Sequence, residues 1–178
     1  MKLIIFILII MFNIVLHEDE FYRYVFTDGP CGDRYVIWIE LLNDSEEDRD
    51  KIEVLQKAPI SDLGFFSQEL KKRGIQDEKI LNNLKIGLSG LFYKCHNLRD
   101  ISVLRNFDFT NVDFYDRMFE FCTTLNRFRC GFDIINHPVV REQLRKREVI
   151  CGGMFGGAYD YYLPDWVDDD LYSVLMYD

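Results

Sequence analysis

The residues able to do covalent chemistry are few. Five cysteines, Cys31, Cys95, Cys122, Cys130 and Cys151, share the chain with three histidines. A thiol attacks as its thiolate and needs a base held beside it. Cys95 directly precedes His96, but sequence neighbours on a strand or turn point apart, so the two do not form a dyad. His137 precedes Pro138 with no motif that would position a base. No Cys-x-x-Cys pair occurs, and the spacings fit no common zinc site. The sequence therefore predicts no catalytic residue, no metal and no cofactor. The odd cysteine count leaves at least one thiol free or shared between chains. Cys130 with Cys151 is the expected disulfide, and Cys31 is the expected odd thiol.

Carboxylates gather in two places. Residues 43–51 (NDSEEDRDK) lack the ligand order of an EF-hand loop and read as a solvated loop or a first helical turn. Near the C-terminus, Asp165, Asp168, Asp169 and Asp170 stand close to Tyr159, Tyr161, Tyr162 and Trp166. Carboxylates beside aromatics suit a sugar or a cation. An acidic helix start accounts for the same charges, with Leu171, Val174 and Leu175 as its apolar face. Residues 152–157 (GGMFGG) match neither a P-loop nor Gly-x-Gly-x-x-Gly and read as a tightly turned or flexible link.

Charge and composition bound the function. The formal net charge is -9 and the pI about 4.8, so the surface repels phosphate backbones and anionic membranes. Nucleic-acid binding is excluded on that ground. A basic partner, a glycan or a divalent cation is not. Hydrophobic content of 48% and aromatic content of 15% supply a packed core. Residues 1–17 carry Lys2, an apolar run over 3–16 broken only by Asn13, and then Glu18, Asp19 and Glu20. That layout reads as a secretory signal, and because the run falls short of the roughly 20 residues of a bilayer span, a lasting membrane anchor is the weaker reading. The expected location is secreted or cell-surface, with membrane contact only through this segment.

The elements that would position these groups follow from local pattern. Residues 21–27 (FYRYVFT) and 34–42 (RYVIWIELL) read as a β-hairpin across a turn-rich link. Residues 61–73 read as a helix on the spacing of Leu63, Phe66 and Leu70, stopped by Gly74. Residues 77–86 read as a second helix, capped by Asp77, with Ile80, Leu81 and Leu84 on one face and Gly87 at its end. Residues 138–148 read as a helix with Pro138 in its first turn.

An internal repeat carries the most information. Residues 91–98 (LFYKCHNL) and 118–125 (MFEFCTTL) both read apolar-Phe-x-x-Cys-x-x-Leu at an offset of 27, and Ile101 and Phe128 extend the match. Phe92, Cys95, Leu98, Phe107, Val112, Phe119, Cys122 and Leu125 are the predicted repeat core. Strands are expected to begin near Leu98, Ile101 and Val103. Asn106 and Asn111 are expected to bond turn backbone. The parallel Cβ vectors of stacked Cys95 and Cys122 suit two free buried thiols better than a disulfide.

With Asn106-Phe107-Asp108-Phe109-Thr110-Asn111-Val112 between its two passes, this stretch resembles the BspA-like leucine-rich-repeat surface proteins. The resemblance covers residues 91–125, and a third pass is degraded: residues 131–136 and Met154-Phe155 echo it. It implies an exported adhesion or interaction protein without catalytic residues. The fold class expected is α+β, a short leucine-rich-repeat-like solenoid with an N-terminal β-hairpin cap and a helical C-terminal end. Residues 18–178 would be one domain: 18–60 the hairpin and acidic loop, 61–87 the helices, 88–137 the repeat turns and 138–178 the cap. Recognition of a protein or glycan is assigned to an open concave face with Arg99, Asp100, Ser102, Arg127 and Arg129. The competing expectation is an exported hydrolase using paired carboxylates, or a sugar-binding protein.

Overall fold

The computed structural model describes residues 13–28, 35–42 and 45–177. Alternating aromatic and β-branched residues build the first three strands, β1 (Ile14–Glu18), β2 (Tyr22–Asp28) and β3 (Tyr35–Leu41). They pair antiparallel in sequence order, with Tyr24 opposite Ile39 and Phe26 opposite Ile37. β4 (Leu84–Gly87) then lies parallel to β3, and β5 (Val112–Phe114) parallel to β4. The result is one five-stranded mixed sheet, β1-β2-β3-β4-β5.

Tyr22, Tyr24 and Phe26 share the face turned to the core, and the ring of Phe66 packs 5.4 Å from that of Tyr24. Burying a phenol requires a partner for its hydroxyl. Tyr22 Oη donates to the Lys57 carbonyl at 2.7 Å, and Tyr24 Oη accepts the Ile60 N–H at 2.9 Å. The segment between β3 and the first long helix is tied to the sheet in this way. On the other face Trp38 covers Gly87 and reaches Phe114, ring centroids 5.0 Å apart. A Cβ at Gly87 would stand 2.2 Å from the indole, so the strand passes there only as glycine.

Short helices fill the crossovers. α1 (Glu46–Arg49) is capped by the Ser45 hydroxyl and α2 (Leu63–Lys72) by Asp62, whose carboxylate accepts the Gly64 N–H at 2.8 Å. Gly74, at φ 87°, ends α2 where the sequence placed its stop. The second predicted helix is corrected. Asp77 does cap a helix, but α3 (Glu78–Leu81) lasts one turn, and residues 84–87 become β4. Leu84 and Ile86 are buried on the sheet's core side, and the free edge of β3 offers them backbone partners that one more helical turn would not match.

The predicted solenoid is also corrected: the architecture is a mixed α/β fold around the five-stranded sheet. The N-terminal hairpin is continuous with that sheet and does not form a separate cap. Residues 102–106 form a 3-10 turn where a strand was expected to run from Leu98, Ile101 and Val103; β4 and β5 precede the repeated motif instead. Phe128, expected to match Ile101, is 71% exposed, whereas Ile101 is fully buried. The turn before Val112 is held by Asp108, which accepts the Thr110 N–H at 2.9 Å.

Locally the look-alike stretches still lie against one another. The chain makes one tight turn three times, with left-handed residues at Gly90 and Lys94, at Arg117 and Phe121, and at Gly153 and Gly157. The offset is 27 and then 36, because α4 (Pro138–Lys146) is inserted before the third turn. The Phe92 N–H donates to the Met118 carbonyl at 2.9 Å and the Phe119 N–H to Met154 at 2.8 Å. Phe92, Phe119 and Phe155 stack in one column at 5.5 and 5.6 Å, and Tyr161 closes it 4.1 Å from Phe155.

The last element, α5 (Asp169–Tyr177), finishes the stack. Its Val174 and Leu175 carbonyls accept the Gly153 and Phe155 N–H groups, both at 2.8 Å, so the last turn's donors and the helix end satisfy each other. Asp168 starts the helix by accepting the Leu171 N–H at 2.7 Å and pairs with Arg147 at 2.9 Å.

Residues 1–12 and Cys31 lie outside the described residues. Residues 14–17, assigned to the export segment, belong to β1, where Leu16 is 2% exposed. Among the described residues no helix is long and apolar enough to cross a membrane.

Candidate functional site

The five residues assigned to recognition are not on an open concave strand face. The Arg99 N–H donates to the Glu53 carbonyl at 2.7 Å, the Asp100 carbonyl accepts from Leu55 at 3.1 Å, and Ile101 donates to Cys130 at 2.9 Å. Segments on both sides therefore use this backbone. The arrangement does bring residues 99–102 and 127–131 together at one end of the molecule. Asp100 is committed internally, accepting the Ser102 N–H at 2.7 Å, which with the Ser102 hydroxyl lowers its carboxyl pKa. Arg127 is largely withdrawn from solvent, its side chain 12% exposed and its Nε 3.7 Å from Asp133. Arg99 and Arg129 remain exposed, and neither has an ion-pair partner among the described residues.

Two neighbours complete this end that pattern reading did not find. Arg105 is exposed and donates to the Gly131 carbonyl at 2.8 Å. Phe128 projects into solvent beneath the Arg127 guanidinium, 4.5 Å from ring centroid to charge. Its match to Ile101 pointed to the core. Its flanking arginines were the only local hint of exposure. The end is thus a basic, aromatic patch on an acidic protein.

The four thiols among the described residues are unreactive by placement. Cys95, Cys122, Cys130 and Cys151 are free and buried. The expected Cys130–Cys151 bridge is corrected: Cys130 follows the second turn, beside Ile101, whereas Cys151 opens the third, beside Tyr115. Cys130 Sγ donates to the Phe132 carbonyl at 3.1 Å. Burial pushes the Cys95 thiol up to about 11, against the pull of Arg49, and does the same at Cys151. Cys122 is raised further, with its Sγ donating to the Phe92 carbonyl at 3.1 Å. A nucleophilic cysteine needs the opposite shift. His137 opens α4 with its ring 5.0 Å from Phe109, and burial lowers its pKa. The His96 carbonyl accepts the Thr124 hydroxyl at 2.8 Å, serving the turn.

Several carboxylates are shifted away from acid-base work. A general acid at neutral pH needs its pKa raised. Asp48 is lowered by the Ser45 hydroxyl and Lys51, Asp108 by Thr110, and Glu69 by Lys72 and Arg73. Nor does any group of three or more possible ligands gather for a metal among the described residues. A hollow of about 510 Å³ lies between Tyr22, Leu41, Asp48 and residues 51–56. Its Asp48 and Lys51 pair with each other at 3.1 Å, so they do not converge on a ligand.

No protein-family model matches the chain, and comparisons with curated proteins and with solved structures find no match either.

Proposed function

We propose that this chain is an exported or cell-surface interaction protein, without catalysis, that binds an acidic protein surface through the end carrying Phe128, Arg99, Arg105 and Arg129. The observation that carries the reading is the 71% exposure of Phe128 in a molecule that buries its other phenylalanines wholly or in part among the described residues. Exposed aromatic and arginine side chains are the commonest anchors of protein interfaces. The Arg127 guanidinium stacked on the ring holds Phe128 ready, which reduces the ordering cost of binding. Export is supported by the charge layout of residues 1–17, and absence of catalysis by thiols and carboxylates shifted away from reactive values.

The test is a partner retained by crosslinking on the immobilised chain, followed by its titration against the triple variant Phe128→Ser, Arg99→Ala, Arg129→Ala. Arg127 is left intact because its side chain is mostly buried. The expected result is at least a hundredfold weaker binding with an unchanged melting temperature, since three anchors of about 1–2 kcal/mol each are removed. Undiminished affinity rejects this surface.

A further inference from the structure

A second exposed aromatic group lies away from Phe128, where α5 meets the last two tight turns. There a cleft of about 300 Å³ is walled by Phe121, Tyr159, Tyr172 and Tyr177, with Met176 and Glu120 completing it. The backbone makes its shape. Phe121 sits at φ 61° and its ring lies over Gly157, where a Cβ would stand 2.6 Å away. Tyr172 and Tyr177 meet edge to face, centroids 6.4 Å apart at 60°, as two adjoining walls. Tyr159 and Tyr177 are each 76% exposed, so these faces are open to a ligand.

The electrostatics of the lining have one sign. Aromatic faces are the negative side of the ring quadrupole. Met176 and Tyr177 belong to the last turn of α5, whose end carries the negative pole of the helix. The Glu120 side chain is 14% exposed, and its Oε2 lies 2.7 Å from Arg117 Nε. No lysine or arginine lines the cleft among the described residues. Anions are opposed by these groups. An apolar group gains only burial, whereas a soft cation gains burial and attraction together.

We propose that this cleft binds a small organic cation of the alkylammonium class, held over the Tyr159, Tyr172 and Tyr177 rings. The proposal is independent of the Phe128 surface, and either can fail alone. The test titrates the full chain with choline and, in parallel, with 3,3-dimethylbutan-1-ol, its neutral isostere, by calorimetry. Choline should saturate and bind about tenfold or more tighter than the isostere. Tyr177→Ala and Tyr159→Ala should each weaken choline about fivefold or more without moving the melting temperature, because both side chains are mostly exposed. Equal binding of cation and isostere, or no saturation by choline at tens of millimolar, overturns the proposal. A trimethyllysine peptide binding tenfold tighter than choline overturns the free cation as occupant, in favour of a partner's side chain.

Discussion

Removing the middle ring of the phenylalanine column should cost more stability than any surface change. Phe119 is fully buried, with Phe92 at 5.5 Å on one side and Phe155 at 5.6 Å on the other. Truncating a core phenylalanine to alanine costs about 3–5 kcal/mol. Two stacked ring pairs, each worth about 0.5–1.5 kcal/mol, place Phe119→Ala in the upper half of that range. A chain of this size has roughly 5–15 kcal/mol in total, so the variant should lose about a third or more of it. Phe119→Leu refills part of the volume but not the stacking and should cost about 1–2 kcal/mol. Phe128→Ala should stay within about 0.5 kcal/mol, as its ring is 71% exposed. Urea unfolding followed by circular dichroism reads all three. A double-mutant cycle with Phe155→Ala should show a coupling of about 1 kcal/mol. Equal costs at Phe119 and Phe128, or zero coupling to Phe155, would refute the stacked column as the centre of the fold.

Other outcomes follow from the same structure. Lys94, at φ 61°, should accept glycine with a melting temperature raised by about 2–4 °C, whereas Gly157→Ala, at φ 68° and 2.6 Å from the Phe121 ring, should lower it. The buried thiols make stability fall in alkali. Their folded pKa values lie above the unfolded value near 9, so their contribution is complete below pH 9 and is lost as pH rises toward the folded value of about 11 at Cys95 and Cys151. Unfolding measured from pH 8 to 11 should show that decline, and site-resolved alkylation at pH 8 should leave the four described thiols unmodified until the chain is denatured. A chain starting at residue 19 should lose about 2 kcal/mol or more relative to one starting at residue 13, because it lacks β1 and the burial of Leu16. Equal melting of the two would remove β1 from the stable sheet.

Residue order alone determined the features that depend on near neighbours. The alternation in residues 22–26 and 35–41 specifies paired strands. Asp62, Asp77 and Pro138 mark helix starts through groups that act within a few residues, and the stop at Gly74 needs only a left-handed residue. The likeness of residues 91–98 to 118–125 was legible as well, because each turn buries the same side chains. Tertiary structure decided the rest. Leu84 fits the helical spacing of Ile80 and Leu81 as well as a strand alternation with Ile86, and the open edge of β3 selects the strand. Residues 14–17 close the apolar run read as an export segment, and only pairing with β2 reveals them as an edge strand as well. Phe128 and Ile101 occupy matching positions in sequence, yet one faces water and the other the core. Local energies differ too little to separate such alternatives. Long-range backbone pairing and burial separate them, and those partners exist only once the chain has closed on itself.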